Sequence, residues 1–195
     1  MRPGLVLLAG PNGAGKSTLY QTRVAPSFAG PFINADLIQR DELRDASMQA
    51  SYRAAAIASE RRSKLLDARK SFATETVFSH PSKLNIIADA KARGYIVIVM
   101  HVGVDDPDLS VARVRGRTEE GGHDVPEEKI RARYDRGQPL IRQAVLRADR
   151  GMVFDNSKLN EPPRLVLAFA SGRLAQAEPV LPDWVLRGYA EDLVL

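Results

Sequence analysis

Residues 10–17 read Gly10-Pro11-Asn12-Gly13-Ala14-Gly15-Lys16-Ser17 and match the spacing G-x-x-x-x-G-K-[ST] at every fixed position. No other feature constrains the fold as strongly, because this spacing needs a strand before it and a helix after it. Both are written into the chain. Leu5-Val6-Leu7-Leu8-Ala9 is a continuous apolar run, the pattern of a parallel strand covered on both faces. Lys16-Ser17-Thr18-Leu19-Tyr20 then opens a helix. The glycines let the backbone wrap phosphates with its amide N–H groups pointing inward, and the helix start adds partial positive charge. Gly10 through Thr18 are therefore expected to bind ATP, with Lys16 reaching the β- and γ-phosphates and the Ser17 hydroxyl ligating magnesium.

Downstream, strand and helix patterns alternate. Strands are expected at Phe32-Ile33-Asn34, at 71–77, at 95–100, at 151–154 and at 164–169. Helices are expected over about 48–70, 84–93, 107–119 and 126–148. This order predicts an α/β chain: a three-layer P-loop NTPase or kinase fold with a mainly parallel sheet of about five or six strands. One kinase domain over 1–175 would carry a helical, arginine-bearing lid at about 107–140. Residues 176–195 read as a proline-containing tail of unreadable role.

Composition narrows the function classes. The 195 residues, 44% apolar and 27% charged, suit one packed domain. A net charge of +4 fits an anionic ligand, and no aromatic-basic interleaving speaks for nucleic acid. The absence of cysteine excludes disulfides, thiolate metal sites and a cysteine nucleophile. No run approaches the roughly 20 apolar residues that span a bilayer. Leu5–Ala9 is also too short for a signal-peptide core. The expected location is the cytoplasm, with no membrane partner.

Several side chains suggest phosphoryl transfer. Asp36 closes the second strand, where open α/β sheets line their ligand crevice, so it could accept the proton of an attacking hydroxyl or cap the next helix. Glu75 and Thr76 end a mostly apolar strand, where they could meet substrate or a magnesium-bound water. The alternative is an edge strand with Glu75 solvated. Arg113 and Arg117 are four apart, as are Lys129 and Arg133, so each pair shares a helix face; Arg131 is offset. Gly121-Gly122 between these helices permits the bend of a closing lid, and His123 beside it could touch substrate or cap the turn. Asp105-Asp106-Pro107-Asp108 imitates the carboxylate of a hydrolase but also reads as a turn and helix cap. Asn156, in Asp155-Asn156-Ser157, could lie beside the adenine or belong to an ordinary strand-to-helix turn. His101, in or just after the fourth strand, reads as a hydrogen-bonded structural histidine.

The order GPNGAGKST at 10–18, INAD at 33–36, ATETV at 73–77, RVRGR at 113–117, GGHDVPEEKIRARY at 121–134 and FDNS at 154–157 resembles the zeta toxin family. The resemblance covers about residues 4–170 and is greatest to the short, stand-alone bacterial members. It implies a P-loop kinase that phosphorylates a sugar hydroxyl of UDP-N-acetylglucosamine or a related sugar nucleotide. On this resemblance Lys16 and Ser17 hold ATP and magnesium, Asp36 is the general base, and Glu75 and Thr76 place the sugar. Arg117 and Arg133 fit the catalytic lid positions, with Arg131 and Arg113 as competitors. A small antitoxin protein is an implied partner. Two departures stand out: the chain is shorter than the larger toxins, and it carries Asn12, which those generally lack. A kinase for another metabolite or nucleotide, and an ATP-driven regulatory switch on nucleic acid, are the competing classes.

Overall fold

The computed structural model describes residues 2–119 and 125–193, with side chains through Gly116 in the first stretch. Strand β1 (Gly4–Ala9) runs into the glycine loop and then into α1 (Lys16–Leu19), which continues as a π-helical turn over Tyr20–Val24. Next come β2 (Phe32–Ile33), the short α2 (Ala35–Leu37) and the long α3 (Met48–Asp67). They are followed by β3 (Phe72–Thr76), a 3-10 turn at Pro81–Leu84, α4 (Asn85–Ala92) and β4 (Ile96–Gly103). The helices α5 (Pro107–Glu119) and α6 (Glu127–Arg147) precede three strands, β5 (Arg150–Asp155), β6 (Arg164–Ala170) and β7 (Arg173–Ala177). The last helix is α7 (Asp183–Tyr189).

The seven strands form one sheet in the order β2-β3-β1-β4-β5-β6-β7. β1 pairs in parallel with both β3 and β4, which places the loop after it at the middle of the sheet's C-terminal edge. Its unbroken apolar run follows from this position. Leu5, Leu7 and Ala9 join the larger core on one face, while Val6 and Leu8 join a second core on the other with Leu19 and Phe154. At about 25 cal/mol per Å² of apolar surface, a strand buried on both faces contributes twice along its length.

The sheet exceeds the expected five or six strands by β7, which with the expected β6 extends it antiparallel. β7 alternates weakly, Arg173-Leu174-Ala175-Gln176-Ala177, and is mostly exposed, so it carries little apolar signal. β4 runs three residues beyond the expected end and takes His101 inside. The segment after Ala177 packs as structure: Trp184, Val185 and Tyr189 of α7 lie in the larger core. Arg142 of α6 ties down the end of the chain through Asp192 at 2.6 Å and Glu191 at 2.8 Å. No helix among the described residues is long and apolar enough to cross a membrane.

Candidate active site

The glycine loop is fixed by close approaches from three sides. Gly13 has φ of 73°, and a Cβ there would stand 2.5 Å from the Ser110 carbonyl oxygen of α5. Gly15 has φ of 93°, and a Cβ there would strike the Asn156 amide nitrogen. Only glycine meets both the left-handed backbone and the lack of space. Asn156 Nδ2 donates to the Ala14 carbonyl at 2.8 Å, so the residue after β5 braces the loop from below. Asn156 therefore lies at the loop, but in a strand-to-strand connection instead of the strand-to-helix turn that was its alternative.

Lys16 is buried; its Nζ donates to the Pro11 carbonyl at 2.9 Å and pairs with Glu75 Oε1 at 3.5 Å. Ser17 Oγ donates to Glu75 Oε2 at 3.0 Å, and Asn34 Nδ2 donates to the same oxygen at 3.1 Å. β3 is flanked by β2 and β1, so Glu75 is not the solvated residue of an edge strand. It is an interior carboxylate whose burial is offset by three partners. A cavity of about 280 Å³ lies over Lys16, Ser17, Thr18 and Glu75, walled by Arg113 and Asn156.

Asn34 resolves the double role of Asp36. The Asn34 side chain accepts from the amides of Asp36 at 2.7 Å and Leu37 at 3.4 Å and so caps α2. The Asp36 carboxylate is left exposed, without hydrogen bond or ion pair among the described residues. It lines two cavities. One, of about 460 Å³, is shared with Asn12, Tyr52, Lys129 and Arg133. The other, of about 200 Å³, is shared with Thr76, Glu75, Arg62 and Lys83. Thr76 is thereby on the Asp36 side of the sheet edge, where its Oγ1 also accepts from the Phe78 amide at 3.3 Å.

The arginines separate. Arg133 Nη1 donates to Asn12 Oδ1 at 3.2 Å, which hooks α6 onto the tip of the glycine loop and faces Asp36 across the larger cavity. Arg113, a competitor for the lid position on the family resemblance, lines the Lys16 cavity. It donates to the carbonyls of Asn156 at 2.8 Å and Lys158 at 3.3 Å, and burial pushes its pKa down. Ser110, three residues before Arg113 on α5, is the residue that approaches Gly13. Arg131, expected as a catalytic competitor, pairs with Asp108 and Glu127 at the surface. The Arg117 side chain and His123 lie outside the described residues. Asp106 accepts from the Asp108 amide at 2.7 Å at the start of α5, so the turn-and-cap alternative holds there.

Behind the loop sits a buried polar chain. His101 Nδ1 lies 2.8 Å from the Tyr189 hydroxyl, Trp184 donates to Asp155 at 2.9 Å, and Ser157 donates to Asp155 at 2.6 Å. Full burial pushes the His101 imidazole down to about 3, with the Lys16 charge adding to the effect, so His101 is neutral. The structural role expected for it is the one its contacts describe.

Asn34 and Tyr52 are site residues that the sequence reading does not single out, whereas Lys129, grouped there with Arg133, lines the cavity beside it. Asn34 offered a signal, as the residue before a helix start. So did Tyr52 and Met48: both are exposed, four apart on a polar helix, and line the Asp36 cavity.

A family described as Zeta toxin matches residues 1–161. An uncharacterized protein from Haemophilus influenzae is 29% identical over 63 residues, which are 32% of this chain and 45% of that one. A solved chain of the PezAT chromosomal toxin-antitoxin system of Streptococcus pneumoniae has a TM-score of 0.60 at 18% identity, covering 80% of this chain and 69% of its own. AvrRxo1-ORF1:-ORF2 with ATP has a TM-score of 0.68 at 15% identity, covering 89% and 60%. Shikimate kinase from Acinetobacter baumannii in complex with shikimate has a TM-score of 0.50 at 18% identity, covering 82% and 86%. At these identities the solved structures speak for the fold, which is that of P-loop kinases. The chain spans less than two thirds of the AvrRxo1 chain and less than half of the Haemophilus relative.

Proposed function

The chain belongs to the zeta toxin family, and from that premise we propose that it transfers the γ-phosphate of ATP to a hydroxyl of UDP-N-acetylglucosamine or a related sugar nucleotide. The observation that carries the proposal is the Asp36 carboxylate. It is released from capping by Asn34 and opens on the cavity that Asn12 and Arg133 share with the loop.

Each group then has a chemical task. The loop amides and Lys16 bind the triphosphate. Asp36 takes the proton of the acceptor hydroxyl as that oxygen bonds to the γ-phosphorus and the bond to ADP breaks. Arg133, anchored to Asn12, neutralises charge that spreads over the moving phosphoryl group. Arg113 and Asn156 brace the nucleotide side, and Thr76 and Tyr52 border the acceptor side.

Among the described residues no cluster of three or more His, Asp or Glu side chains could hold a metal alone. The Ser17 hydroxyl and Glu75 carboxylate, 3.0 Å apart over the same cavity, are hard oxygen donors that fit magnesium. Ser17 would ligate the ion and Glu75 would hold one of its waters; phosphates and other waters would complete the shell. When bound, magnesium neutralises charge on the β- and γ-phosphates. The family and the likeness to a PezAT chain also support an antitoxin protein as partner. A cytoplasmic setting, where ATP is available, is part of the same proposal.

The test combines ATP, magnesium and UDP-N-acetylglucosamine and follows the sugar nucleotide by mass spectrometry. A product heavier by one phosphate is expected. Asp36→Asn should slow its formation by about 10²–10⁴ while ATP affinity holds, because a positioned base contributes on that scale. Lys16→Ala should abolish transfer in a folded protein. Asp36→Asn with unchanged turnover and weakened nucleotide binding would assign that carboxylate to the metal and refute the proposal.

A further inference from the structure

We infer that the acceptor carries an anionic group, a phosphate or a carboxylate, which Arg62 and Lys83 hold in the smaller Asp36 cavity. This deepens the kinase reading and rests on it for the placing of the acceptor.

The inference begins with two cations that lack partners. Arg62 and Lys83 are half-buried, and neither makes a hydrogen bond or ion pair with any described residue. Their neighbours behave differently. Arg61 is held by Glu42, and Lys64 pairs with Glu60 at 2.6 Å. Arg62 faces the other way, into the cavity that Asp36 and Thr76 border. Ala55, Ala58 and Arg62 fall at helical spacing on one face of α3, so the two alanines leave the volume into which Arg62 points. Lys83 comes from the 3-10 turn after β3 and lines the same cavity.

Asp36 borders the same cavity but, like every other described carboxylate, pairs with neither cation. Glu75 is held by Lys16, Ser17 and Asn34. Asp89 borders an adjoining hollow with Arg62 and Lys83 but pairs with neither. Burial lowers the pKa of both cations, and the Arg62 charge lowers Lys83 further. Two like charges drawn partly out of water, with no carboxylate in ion-pair contact, are unfavourable for stability. Such an arrangement is resolved by an oxyanion ligand, for which a guanidinium fork beside an ammonium is the matched receptor. The cavity joins that receptor to Asp36, so one molecule can present an anion at one end and a hydroxyl at the other.

The experiment uses protein saturated with AMP-PNP and magnesium, so that the loop is filled, and titrates inorganic phosphate by calorimetry. Wild-type protein is expected to bind it, and Arg62→Gln and Lys83→Gln should each weaken binding about tenfold or more. Arg62→Lys should retain part of the affinity. Affinity for AMP-PNP should stay within about twofold, and neither neutral variant should melt below wild type, as loss of a structural contact would require. A second arm measures UDP-N-acetylglucosamine and free N-acetylglucosamine as acceptors, with inorganic phosphate as inhibitor. Loss of UDP-N-acetylglucosamine affinity in both variants and competitive inhibition by phosphate would support the subsite on the acceptor. Phosphate binding that depends on Arg62 and Lys83, without any UDP-N-acetylglucosamine binding, would keep the anion subsite and reject the sugar nucleotide. Phosphorylation of UDP-N-acetylglucosamine with an unchanged KM in both variants would overturn the subsite and leave the kinase intact. Phosphate affinity equal in wild type and variants would overturn it as well.

Discussion

Lowering the pH from 8 to 5 should cost this protein about 2 kcal/mol of stability through one imidazole, His101. The side chain is fully buried between β4 and α7, against Trp184 and Tyr189. Its Nε2 has no hydrogen-bond partner among the described residues, so a second proton there would be held with no acceptor among them. Burial and then the Lys16 charge push it down to about 3, from an ordinary value of 6.5. The folded state therefore keeps it neutral while the unfolded chain takes up a proton below 6.5. Stability from this group is complete above 6.5 and is lost as pH falls toward 3, at about 1.4 kcal/mol per pH unit. Over a chain of 195 residues, the shift at pH 5 corresponds to a melting temperature lower by about 5 °C. Urea unfolding at pH 8, 6 and 5 measures the slope, and His101→Gln supplies the control. That variant starts less stable but should have a flatter pH profile over this range, where most carboxylates remain ionised. Equal slopes in wild type and His101→Gln would refute the reasoning.

Further outcomes follow from the same geometry. Trp184→Ala should remove about 3–5 kcal/mol, since the ring fills the space over Gly103 and its indole N–H is bonded to Asp155; denaturant melts check this. Gly15→Ala should weaken ATP binding at least about tenfold through the collision with Asn156, and adding Asn156→Ala should recover part of the loss, as calorimetry would show. Glu75→Gln should leave the fold intact and raise the magnesium concentration needed for half-maximal activity, read from a titration at fixed ATP. Arg133→Ala should slow phosphoryl transfer by about 10³ or more, while Arg131→Ala stays within a few-fold, because only Arg133 reaches the loop.

What was legible in the sequence was what local spacing controls. The strand, glycine loop and Lys16-Ser17 helix start obey fixed distances along the chain, and they fold as that pattern requires. Asp36 was legible as a candidate because strand ends at the C-terminal edge of a parallel sheet face one crevice. Its freedom to act was not legible, since it depends on Asn34 taking the capping hydrogen bonds. The lid arginines show the limit more sharply. Helical spacing grouped Arg113 with Arg117 and Lys129 with Arg133, but spacing cannot say what each helix face packs against. The hydrogen bond between Asn12 and Arg133 joins residues 121 positions apart. The unpaired state of Arg62 and Lys83 is likewise a property of α3 and the turn after β3 meeting in space. At the C-terminal end, β7 is an exposed edge strand and α7 a seven-residue helix started by Pro182. Neither is long or periodic enough to stand out from a loop.

The central claim is that the γ-phosphate leaves ATP for an alcohol oxygen prepared by Asp36. Terminally labelled ATP, incubated with wild-type enzyme, magnesium and a set of hydroxylated metabolites that includes UDP-sugars, tests it most directly. Label should appear on an organic phosphomonoester, and Asp36→Asn should bind ATP as before yet leave that product unlabelled. Label recovered only as inorganic phosphate, at the same rate in both proteins, would contradict the account.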